Sequence, residues 1–146
     1  MTTPSFSSDR EVERIGRGVL DRTLPKAEWT HAAHFAAALW LMRHRPDLDL
    51  CQAMPGLIRA YNAATGVANT DTEGYHETIT QASLRAARAR LGDHDLSVPL
   101  HRIVNQLMAS ELGRSDWLLT HWSKARLFSV EARRSWVEPD LEPLPF

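Results

Sequence analysis

The chain has a single cysteine, Cys51, which excludes an intrachain disulfide and any zinc cage built from thiolates. β-Branched aliphatic residues are scarce: Val and Ile together number 11, against 18 Ala and 18 Leu. That balance argues against a sheet and for helices. Charge of one sign is also lacking, since Lys+Arg 17 against Asp+Glu 18 leaves a net charge of -1. With no excess of positive charge to neutralise phosphates, a nucleic-acid partner is not expected. Long apolar runs are missing too. The most apolar stretch, 32–42, contains His34 and is too short to span a bilayer, and no basic flank followed by an apolar segment opens the chain. No membrane partner is expected, and the reading is a soluble, cytoplasmic protein. There is no Gly-x-Ser-x-Gly, phosphate loop or dinucleotide fingerprint, so familiar nucleophile and nucleotide machinery is not indicated.

What is present is helical periodicity, and 146 residues suit one all-α domain, a bundle of about five main helices with short C-terminal helices and an extended tail. Residues 1–7 are Ser/Thr/Pro-rich and are expected to be loose. Ser8 and Glu11 read as a capping box for a first helix with Val12, Ile15, Val19 and Leu20 along one stripe. A second helix starts between Ala27 and Thr30, ends before Pro46, and is apolar on nearly every side, which belongs in the middle of a bundle. The third follows an Asp47 or Asp49 cap, stops at Gly66, and is expected to lie antiparallel to the second. The loop 66–75 then leads into a fourth helix, about 76–91. A fifth is expected with Ser97 as cap and Leu100, Ile103, Val104 and Leu107 buried. Residues 137–146 hold three prolines and read as an extended tail.

Two constellations carry chemistry. In Trp29–His34, His31 and His34 stand at i and i+3, on the same side of a helix, where both reach one ion. They sit in the most apolar helix, where an unpartnered polar ring costs on the order of 2–7 kcal/mol, so both need partners. His44, His94 and His101 are expected at the surface. In Gly74–Thr80, His76 and Glu77 open a helix behind a glycine loop. Neighbours on a helix point about 100° apart, so only one of them aims at a shared ion. His76 is assigned as the third ligand. Glu77 is assigned the catalytic role, as a fourth ligand, an orienting acceptor or a general base on bound water; an ordinary first-turn acid is the competing reading. Glu138 and Asp140 in the tail are further candidates to close over the site. Trp117, Trp122 and Trp136 are read as pins for the tail, and Cys51 as core.

W-T-H-A-A-H-F-A-A-A-L-W-L followed by Y-H-E-T-I-T resembles an uncharacterised family of bacterial helical proteins with an H-x-x-H helix, a Y-H-E-T-[IL]-T segment and an Arg-rich helix. The matching residues are His31, His34, Tyr75, His76, Glu77, Thr78 and Thr80, within 24–91. The resemblance implies that His31, His34, His76 and Glu77 form one unit, and no activity comes with it.

The leading expectation is a divalent transition metal, zinc or iron, held by His31, His34 and His76 and acting on a small molecule. Zinc suits activation of water and iron suits oxygen chemistry. The alternative is a non-enzymatic small-ligand or protein-interaction module with structural histidines, in which the apolar seams of the first and fifth helices serve a homodimer.

Overall fold

The computed structural model describes residues 5–146, whose regular secondary structure is helical, with no strand among them. Seven α-helices follow one another: α1 (Asp9–Leu20), α2 (His31–His44), α3 (Leu50–Ala64), α4 (Glu77–Gly92), α5 (Leu100–Ala109), α6 (Lys124–Leu127) and α7 (Val130–Arg134). Short 3₁₀ turns occupy Lys26–Glu28, Glu111–Gly113 and Trp117–Thr120.

The all-round apolar helix is the hub. Thr30 caps α2 by accepting from the Ala33 N–H, and every residue from Phe35 to Leu41 is buried. Around it pack α1, α4 and α5. The approach of α1 depends on Gly16, where a Cβ would lie 2.5 Å from the Trp40 ring. α3 packs chiefly against α4 and α1 rather than lying along α2, because Tyr61, fully buried, donates to the Leu24 carbonyl ahead of α2 and anchors α3 there. The apolar seams of α1 and α5 are spent in this core: Val12, Ile15 and Val19, and Leu100, Ile103, Val104 and Leu107, are all buried. The exposed stripe expected for a homodimer is therefore not offered by these helices.

Several ends differ from the sequence reading for local reasons. Ser8 stands at the N-cap of α1 without a side-chain cap bond, and Glu11 reaches back to Ser7 instead. α5 is not capped by Ser97, whose hydroxyl bonds Asp95; Asp9, from α1, accepts from the His101 N–H at 2.9 Å. Of the segment expected to be loose, Phe6 is held by reciprocal bonds with the Asn105 amide, and residues 1–4 lie outside the described part. Cys51 is exposed at the start of α3 rather than in the core, because Leu50 and Met54 take the inward positions.

The tail is extended as expected and tightly held. Trp122, fully buried, donates to the Val137 carbonyl at 3.0 Å and meets the Trp136 ring edge-on. Thr78, at 0% exposure, donates to the Ser135 carbonyl and accepts from the Val137 N–H, tying α4 to the tail. No helix among the described residues is long and apolar enough to cross a membrane.

Candidate functional site

The N-terminal ends of α2 and α4 open on a shared cavity of about 430 Å³, and His31, His34 and His76 all line it. Its walls are mostly apolar, with Trp29, Phe35, Ile79 and Leu84 from the two helices and their approaches, and Trp117 and Phe128 from the C-terminal part. The polar lining comes from the three histidines, Asn62, Thr80, Ser83, Ser115, Arg133 and the ends of the Tyr75 segment, and no carboxylate is among the lining residues.

The three histidines meet there with different duties. His76 is the N-cap of α4: Nδ1 accepts from the Ile79 N–H at 3.2 Å, and Nε2 donates to the Leu127 carbonyl at 2.7 Å. Both nitrogens are thus committed to the backbone, and the ring is fixed as the neutral Nε2–H tautomer. Burial, opposed by the Leu127 bond and assisted by the nearby Arg133 charge, lowers its pKa from the ordinary value. His31 Nε2 donates to the Leu112 carbonyl at 2.8 Å, which leaves Nδ1 for other partners. The His34 ring makes no hydrogen bond among the described residues; it sits edge-on to Trp29 with centroids 3.9 Å apart. The residue is exposed, and its accessible surface lies on the cavity wall. The surrounding cavity walls, with the His31 charge adding to their effect, lower the His34 pKa from the ordinary value, so the imidazole is neutral at physiological pH.

A tripod of His31, His34 and His76 for zinc or iron is consequently not formed, because His76 has no lone pair to give. Among the described residues no three His, Cys, Asp or Glu side chains are grouped to hold one metal ion. Glu77 does not line the cavity; its Oε1 accepts from the Tyr75 hydroxyl, behind the cavity wall. Tyr75 is buried, with the Arg59 guanidinium 4.6 Å from its ring centroid, and burial followed by the Glu77 bond raises its pKa. Asp140 and Glu138 lie elsewhere. Asp140 accepts from the Ser123 N–H and hydroxyl ahead of α6, Glu138 accepts from the Trp136 indole, and both border a separate hollow beside Arg85.

Residues missed in the sequence complete the cavity. Arg133, on α7, donates through Nη1 to the carbonyls of Gly74 (3.0 Å) and Tyr75 (3.3 Å) and so holds the loop that presents His76. Asn69 organises the same loop, accepting from the Tyr75 N–H and from the Asn62 amide. Gly74 is required there: its φ is +84°, and a Cβ would lie 2.2 Å from the Ala68 carbonyl oxygen. Of these, only the glycine loop left a mark in the sequence; Arg133 lies 57 residues from His76 with no spacing signal to link them.

No protein-family model matches the chain, and no curated protein or solved structure matches it significantly.

Proposed function

We propose that the protein binds a small, largely apolar molecule in the cavity between the N-terminal ends of α2 and α4, with neutral His34 as the hydrogen-bonding group that orients it. The observation that carries this reading is an imidazole on an apolar cavity wall with neither ring nitrogen bonded among the described residues. A polar ring in such surroundings is favourable only when something bonds to it, water in the free state or a ligand group in the bound state. A neutral imidazole offers one donor and one acceptor, so a ligand carrying a carbonyl, hydroxyl or amide satisfies it. The cavity volume lies in the range of small-molecule sites, and an apolar wall with a few convergent polar groups is their usual chemistry. Zinc or iron chemistry would rest on His31 Nδ1 and His34 alone and would need its remaining donors from outside the chain, so the small-molecule site is the reading favoured.

Calorimetric titration with neutral aromatic amides, from benzamide to 2-naphthamide, tests it. The wild type is expected to bind, and Ala38→Phe or Ser83→Phe, each filling the cavity from one wall, is expected to abolish binding while melting cooperatively. Absence of binding to the wild type, or undiminished binding to both filled variants, overturns the proposal.

A further inference from the structure

Arg133 differs from its chain neighbour Arg134 in having no acidic partner among the described residues. Arg134 forms a two-pronged pair with Asp71. Arg133 forms no ion pair among the described residues, which omit no acidic side chain, and it lines a cavity that contains no Asp or Glu. Its bonds to Gly74 and Tyr75 use Nη1 only. The Nε and Nη2 groups form the edge of a guanidinium that meets a carboxylate in two parallel hydrogen bonds, and here they have no partner and are not buried away from solvent. The two carbonyls hold the guanidinium in place, so little side-chain freedom remains to be lost when that edge is engaged. Two further features add positive potential: α2 and α4, of 14 and 16 residues, both begin at this cavity, with the positive ends of their dipoles toward it.

We infer that the ligand of this cavity is an amphipathic acid, with an apolar body against Trp29, Phe35 and Ile79 and a carboxylate paired with the Nε–Nη2 edge of Arg133. This inference rests on the small-molecule reading above and adds the charge of the ligand to it. A neutral ligand leaves the guanidinium edge to water, whereas a carboxylate gains a charge-assisted pair beside a low-polarity wall.

The test compares two isosteric probes, 2-naphthoate and 2-naphthamide, on the full chain. The wild type is expected to bind the carboxylate at least about tenfold more tightly than the amide, a margin that shrinks as salt is raised. In Arg133→Gln the preference is expected to vanish while amide binding persists; Arg133→Lys, which keeps the charge without the fork, is expected to fall between. Equal binding of both probes by the wild type overturns the inference and leaves the small-molecule site standing. Loss of both probes from the wild type overturns the site itself. Should Arg133→Gln lose both probes because the Gly74 loop moves, the wild-type preference and its salt dependence decide the matter: a salt-sensitive preference upholds the inference, and a salt-insensitive one defeats it.

Discussion

His34 and His76 face one cavity with opposite duties, and substitution separates them. His76→Ala removes the N-cap of α4 and strands the buried Leu127 carbonyl, at a cost of about 1–3 kcal/mol in urea unfolding. His34→Ala breaks no hydrogen bond within the protein and is expected to stay within about 1 kcal/mol of the wild type while losing ligand binding. Shared metal ligation would instead make the two variants alike in metal content and stability. The pairing of His31 with His34 was legible because i,i+3 spacing is local, and His76, read as a third ligand, is found lining the same cavity. That His76 spends both nitrogens on the backbone was not legible. Its acceptor, Leu127, lies 51 residues on, and capping preferences favour Ser, Thr, Asp and Asn over His.

At the scale of elements, periodicity revealed what each helix buries and said less about how each one ends. The α5 seam of Leu100, Ile103, Val104 and Leu107 is buried as the 3.6-residue repeat requires. Its cap, however, comes from Asp9, 92 residues away, and a cap supplied across the fold leaves no signature beside the helix it serves. The loop before α4 shows the same division. Its glycines mark a turn, but its shape is set by Asn69 from within and Arg133 from outside. Gly74→Ala is the sharpest probe of that loop. The residue has φ +84° and no room for a Cβ, so the substitution should cost about 1–3 kcal/mol and displace Tyr75 and His76 from their positions. Thermal unfolding reads the first effect. Loss of the protection of the Ile79 amide against hydrogen exchange, where the His76 cap bond is made, reads the second.

For the molecule as a whole, enclosing uncharged imidazoles ties the stability of the fold to pH. His34 titrates below the 6.5 of an unperturbed imidazole in the folded protein, because the cavity walls around it oppose its charge, and His76 is shifted in the same direction with burial as the leading reason. Between the folded and unfolded pKa values the unfolded chain binds protons that the folded chain refuses. The slope of unfolding free energy with pH is then positive, so stability is full above about 6.5 and is lost as pH falls toward 4. The loss precedes the titration of ordinary carboxylates and is separable from it. Melting temperatures taken at half-unit steps from pH 7.5 to 4 should hold level down to about 6.5 and then decline. His34→Gln, which cannot be protonated in this range, should decline less steeply over the same interval, with His76 accounting for what remains. A ligand carboxylate paired with Arg133 places negative charge in the same cavity and favours the protonated form of His34, so 2-naphthoate should flatten the decline where 2-naphthamide does not. A wild-type profile that stays flat from 6.5 to 4 would mean that the His34 ring is solvated in the folded state, and the orienting role assigned to it would fail along with the pH dependence.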